Sequence, residues 1–341
     1  MNRDERLAHA HQWAASVLGR ELPEPVPVSG DASFRRYLRV EDGPRTLILM
    51  DAPPDKEDCL PFVTLARAWR QAGIPVPDII DWQADEGFML LEDFGDTTFA
   101  RQVGTTTPDG AAAEAATPLY EQALEALLRI QVQPAPEACP LPRFDDTLLA
   151  DEYALFTDWL MRRKLGVTLQ GKAGAQLKAQ LTRVSEVFRG QAQVTVHRDY
   201  HSRNLMVRPM GIGILDFQDA VTGPVTYDLV SLLRDCYIQW PDDWAHHLAD
   251  GFYDALPRAH RAPSRETFHR DLDYTGIQRH LKAAGIFARL ALRDGKTAYL
   301  NDIPRTLGHL VRIGERHSEL TPLVNLVRSD VLPGIEAELA A

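Results

Sequence analysis

The stretch Val194–Phe217, VTVHRDYHSRNLMVRPMGIGILDF, decides how the rest of the chain is read. Val194-Thr195-Val196 is a β-branched run that breaks into the polar segment from His197 to Asn204. Two apolar runs follow, Leu205-Met206-Val207 and Ile212-Gly213-Ile214-Leu215, joined by Arg208-Pro209-Met210-Gly211. This pattern predicts a strand, a polar loop and a hairpin that ends at Asp216. The hairpin would turn Asp216 back towards Asn204, so that Asp199, Asn204 and Asp216 share one small volume. Two carboxylates and an amide oxygen are hard donors, suited to Mg²⁺ and to phosphate chemistry.

The spacing from His197-Arg198-Asp199 to Asn204, then Asp216-Phe217, is that of a phosphoryl-transfer site. HRDYHSRN followed by LDFQDA resembles the aminoglycoside phosphotransferase branch of the protein-kinase-like enzymes. With GDASFRRYLRV, LDFQDAVTGPVTYDLVSLLRD and RHLKAAGIFARLALRDGK, it is most similar to the bacterial kinases that act on the anomeric hydroxyl of N-acetylmuramate and N-acetylglucosamine in cell-wall recycling. The resemblance implies an α+β, two-lobed protein-kinase-like fold. Residues 1–93 would form an N-lobe on a small antiparallel sheet, and residues 94–341 a mostly helical C-lobe. It also implies ATP and Mg²⁺ as cofactors, an amino sugar as acceptor and a sugar 1-phosphate as product. Asp199 would be the base, Asn204 and Asp216 the Mg²⁺ ligands, and Asp228 a brace for the catalytic loop.

Composition sets outer limits. The 341 residues carry a net charge of −11, with 45% hydrophobic and 25% charged residues. Such acidity argues against nucleic acid or an anionic membrane as partner. Cys59, Cys139 and Cys236 are few and far apart, which favours reduced thiols. The opening MNRDERLAHAHQW has no apolar segment, and no run approaches the length of a membrane helix. A cytoplasmic enzyme is the expectation.

Towards the N-terminus, apolar spacing predicts a helix over residues 4–19 and a Pro-rich hinge over 22–27. Residues 34–40 and 45–50 read as a hairpin, preceded by the phosphate-facing loop of residues 28–33, with Ser29, Gly30 and Ser33 as its contacts. No Lys stands in Thr46–Met50, where kinase-like enzymes usually place one for the α/β-phosphates. Arg35, Arg36 or Lys56 could replace it, and Arg35 and Arg36 are equally readable as solvated strand residues. Residues 61–71 read as a helix, 79–82 and 87–91 as strands, and Glu92-Asp93-Phe94-Gly95 as the adenine-facing hinge.

Residues 104–116 read as a loop or a helix entry, and Thr117-Pro118 as the start of the next helix. Further helices are expected over 151–164, 177–188, 227–237, 244–255, 268–291 and 305–317. The candidate substrate contacts are Asp151, Glu152, His201, Arg203, Asp219, Arg234 and Tyr237. Arg279, His280 and Lys282 could clamp the lactyl carboxylate of N-acetylmuramate, or form a solvated face. His197, Asp199 and His201 could also be a metal cluster, a reading that gives Asn204 no role. Two further alternatives are a kinase for an aminoglycoside, choline or hydroxy amino acid, and a non-catalytic nucleotide-binding module.

Overall fold

The computed structural model describes residues 3–29, 34–104 and 110–340, and the chain divides into two compact units. The first comprises Met1–Thr97, Gln133–Pro140 and Leu205–Asp219; the second comprises Thr98–Val132, Leu141–Asn204 and Ala220–Ala341.

The first unit opens with helix α1 (Arg3–Leu18). Strands β1 (Val26–Ser29), β2 (Arg36–Asp42) and β3 (Arg45–Asp51) follow, then helix α2 (Leu60–Gln71) and strands β4 (Ile79–Gln83) and β5 (Phe88–Glu92). The strands form one antiparallel sheet in the order β1-β2-β3-β5-β4. Its apolar face closes over Ala10 and Ala14 of α1, with Leu38, Val40, Leu47, Leu49, Phe88 and Leu90 beneath them. Val26–Ser29 is a strand rather than part of a hinge and loop. Pro27 is tolerated because β1 is an edge strand, where a missing N–H breaks no ladder on the open side.

The second unit contains α3 (Phe99–Val103), α4 (Gly110–Gln131) and α5 (Asp146–Ala154). A wider π-type helix (Leu155–Lys164), α6 (Gly171–Gly190) and β6 (Gln193–Val196) come next. Helix α4 begins at Gly110, seven residues before the expected start, and Pro118 lies inside it. The alanine-rich run Ala111–Ala116 favours helix strongly enough to carry one proline. The expected hairpin, β7 (Leu205–Arg208) and β8 (Gly211–Ile214), belongs to the first unit and pairs with the register Leu205↔Ile214.

Strand β9 (Val221–Pro224) pairs antiparallel with β6, a pairing that its short V-T-G-P run does not announce. Helices α7 (Tyr227–Leu233), α8 (Asp242–Ala255), α9 (Arg265–Asp294), α10 (Ile303–Gly314), α11 (Thr321–Leu326) and α12 (Leu332–Leu339) complete the second unit. No helix among the described residues is long and apolar enough to cross a membrane.

Candidate active site

In the second unit, β6 delivers the chain into the loop from His197 to Asn204, and α7 holds that loop by two carboxylates. Asp228, fully buried at the start of α7, accepts from the backbone N–H of His197 (2.6 Å) and of Arg198 (3.0 Å). Burial raises its pKa, against the pull of His197 and those two N–H groups. Asp235, beyond the end of α7, accepts from the N–H of Ser202 (2.9 Å) and of Tyr237 (2.9 Å). Asp228 and Asp235 lie seven residues apart, but α7 ends at Leu233, so the turn after the helix and not helical spacing brings Asp235 to the loop. The Tyr200 hydroxyl ties the loop to α4 by donating to Ala123 O (2.7 Å).

Inside the loop the Asn204 amide donates to the backbone carbonyl of Asp199 (3.0 Å). The Asp199 carboxylate is 36% exposed and stands 3.9 Å from Lys282 Nζ. Burial would raise its pKa, but Lys282, His201, Arg279 and Arg198 together hold it well below the usual carboxylate range. Lys282 is pinned in turn by Glu152 (3.2 Å) and the Tyr227 hydroxyl (3.1 Å).

Several expected substrate contacts are internal braces instead. Glu152 is 3% exposed and serves Arg198 (3.0 Å), Gln278 (2.7 Å) and Lys282, so its oxygens are not open to a sugar hydroxyl. Arg234 is buried against Asp273 (2.7 Å). Arg279 is buried, lies over the Tyr227 ring and donates to Arg198 O (2.8 Å). With Lys282 it forms neither a solvated face nor an exposed clamp. Asp151 is exposed on α5. His201 stands edge-on to Tyr237 (5.5 Å), and Arg203 lies on the Tyr237 ring (3.5 Å). The metal-cluster alternative fails. Among the described residues no three His, Cys, Asp or Glu side chains gather to hold a metal, and His197 Nδ1 faces the Asp199 N–H (3.3 Å).

In the first unit, Asp216 follows β8 with φ of 61°. Among the described non-glycine residues only it and Arg198 (φ 75°) have positive φ, a conformation costing roughly 1–3 kcal/mol that clusters at functional sites. Gln218 donates to Asp216 (2.8 Å) and approaches Asp219 (3.4 Å), while Phe217 is buried against Phe62 (4.8 Å) and Trp69 (5.5 Å) of α2.

Of the three candidate cations, Arg36 is committed to the buried Asp51 (2.9 Å), which also holds Arg6 (2.7 Å). Lys56 is exposed beside Asp55 (3.4 Å). Arg35 pairs with Glu57 (2.9 Å). Its pKa is lowered by burial, yet raised overall by Tyr37, Glu57, Asp216 and Asp219. The Glu92 carboxylate is taken by Arg70 (2.9 Å), the Asp78 N–H (3.2 Å) and Arg208 (3.4 Å), and its backbone N–H donates to Asp78 O (2.9 Å). Phe94 packs on Gly213, where a Cβ would stand 2.5 Å from its ring. Ser29 ends β1, and Gly30 and Ser33 lie outside the described residues.

Comparison with known proteins agrees with this arrangement. Residues 24–265 match the model of the phosphotransferase enzyme family. The chain is 40% identical to the N-acetylmuramate/N-acetylglucosamine kinase of Pseudomonas aeruginosa, covering 96% of this chain and 98% of that protein. It is 38% identical to the enzyme of the same name from Neisseria meningitidis, over 95% of each. Among solved structures it is similar to choline kinase LicA from Streptococcus pneumoniae, with a TM-score of 0.62 and 11% identity over 91% of this chain and all of that one. It is also similar to ADP-bound aminoglycoside phosphotransferase APH(2'')-Ib, with a TM-score of 0.59 and 12% identity over 90% and 98%. These two likenesses show a shared kinase-like fold.

Proposed function

This chain belongs to the phosphotransferase enzyme family, and we propose that it is an ATP-dependent kinase forming the 1-phosphate of N-acetylmuramate or N-acetylglucosamine. The observation that carries the reading is Asp199. It is a partly exposed carboxylate on a loop pinned at both ends, with a buried lysine beside it. The acceptor rests on the relatives named above.

Asp199 would accept a hydrogen bond from the anomeric hydroxyl. The sugar oxygen then bonds to the γ-phosphorus while the bond to the ADP oxygen breaks, and the sugar proton passes to Asp199. Because Lys282 and its neighbours keep the carboxylate weakly basic, the proton moves late, once bonding to phosphorus has made the oxygen acidic. Orientation is therefore the larger part of what Asp199 supplies. Lys282 is a positioning residue for it.

Mg²⁺ is expected through Asn204 and Asp216, each offering an oxygen of the kind the ion takes, and would neutralise phosphate charge when bound. Arg35 is the best supported replacement for the absent strand lysine, since Arg36 is committed to Asp51 and Lys56 is exposed. The Arg35–Glu57 pair has the chemistry of the kinase lysine–glutamate pair. ATP consumption with a panel of sugars, and phosphorus NMR of the product, tests the proposal. A new ester at the anomeric carbon is expected, and no stimulation by either amino sugar would defeat it.

A further inference from the structure

Arg203 differs from the cations that act on Asp199 in how it is held. Arg198, Arg279 and Lys282 are bound to internal partners: Glu152, a backbone carbonyl and the Tyr227 hydroxyl. Arg203 is 41% exposed, and its guanidinium carbon stands over the Tyr237 ring, 3.5 Å from the centroid, with the Tyr299 ring at 5.7 Å. A cation–π contact engages the ring through the charge of the guanidinium and does not use up its N–H donors. Its carboxylate neighbour, Asp302, is 3.8 Å away, beyond hydrogen-bonding distance, and already takes Arg305 at 3.1 Å. The platform is rigid too. Asp235 holds the backbone on both sides of the stack, through Ser202 N and Tyr237 N. A planar fork is thus oriented, but not saturated, four residues from the proposed base.

We infer that Arg203, laid on Tyr237, reads the lactyl carboxylate of N-acetylmuramate, a group N-acetylglucosamine lacks, and so sets the preference between the two sugars. This rests on the kinase reading above. A bidentate arginine–carboxylate pair supplies both affinity and orientation, and the neutral sugar forgoes it.

The test compares kcat/KM for the two sugars in wild type, Arg203→Gln and Arg203→Lys. The ratio for N-acetylmuramate over N-acetylglucosamine is expected to fall on the order of 10- to 100-fold in Arg203→Gln, whatever change is common to both. Most of that fall should lie in KM. Arg203→Lys keeps the charge without the fork and should fall in between; it serves as the test if the glutamine variant does not fold. Wild type should also prefer N-acetylmuramate to its methyl ester, and Arg203→Gln should not. A ratio within about twofold of wild type, or wild-type indifference to the ester, overturns the inference while leaving the kinase reading intact. Failure of wild type to phosphorylate either sugar defeats both.

Discussion

Asp199 is a weak base because of what surrounds it, and that makes its contribution measurable. Asp199→Ala should leave nucleotide affinity nearly unchanged while turnover falls by on the order of 10² or more; undiminished turnover would remove Asp199 from the mechanism. The wild-type carboxylate, its pKa depressed, stays ionised as pH falls through the ordinary carboxylate range. Lys282→Met removes the cation 3.9 Å from Asp199, so the Asp199 pKa should rise and the acid limb of kcat should move to higher pH. An acid limb unmoved in that variant would show that Lys282 does not set the state of Asp199. Asp199 and Asn204 were legible in the chain because one short loop must hold both, which fixes their separation. Lys282 was legible only as a charge on a helix, because α9 brings it to Asp199 from far along the chain.

Helix α9 packs closely on its neighbours. At Gly285 an added Cβ would meet the backbone of Leu155 at 2.2 Å and of Phe156 at 2.5 Å. Neither backbone can yield without moving the π-type helix, so Gly285→Ala should destabilise by ~3 kcal/mol, seen as a lower midpoint in urea at unchanged slope.

On the side towards α10, His280 and His309 stack in the interior, centroids 5.1 Å apart at 10°. Burial, with Arg234, Arg279 and Arg312, pushes His280 down to about 3, although its Nε2–H donates to Arg234 O (2.9 Å). Burial pushes His309 down as well, with His280, Arg312, Arg234 and Arg305 adding to the effect. The unfolded chain binds these protons below about pH 6.5 and the folded chain does not, so stability falls as pH drops from there. Asp271, raised by burial to about 6, acts in the opposite sense. The Tm of a His309→Gln variant, measured at the same pH steps, should decline less than that of wild type. Apolar spacing predicted α9 but not its interior. Arg279, His280 and Lys282 look like a polar face until α7 and α10 cover them.

Across the whole chain, a net charge of −11 coexists with cations, Lys282 first among them, that hold the Asp199 carboxylate ionised, so bulk charge says little about this site. Ligand linkage offers a global check. ADP with Mg²⁺ should raise Tm more than ADP with EDTA, and Asp216→Asn should remove the Mg²⁺-dependent part of that shift. A full shift in the variant would exclude Asp216 as a metal ligand. The order of residues alone was enough to set the strand–loop–hairpin around Asp199, the antiparallel sheet strands β2 to β5 and the family resemblance. These depend on local spacing, turn chemistry and apolar period, which neighbouring residues carry. The folded arrangement settled which charges are buried and what each one meets: Glu152, Arg234 and Arg279 as internal braces, Arg203 exposed on an aromatic ring. Burial and charge pairing sum over segments that approach only after packing, and no stretch of sequence holds that sum.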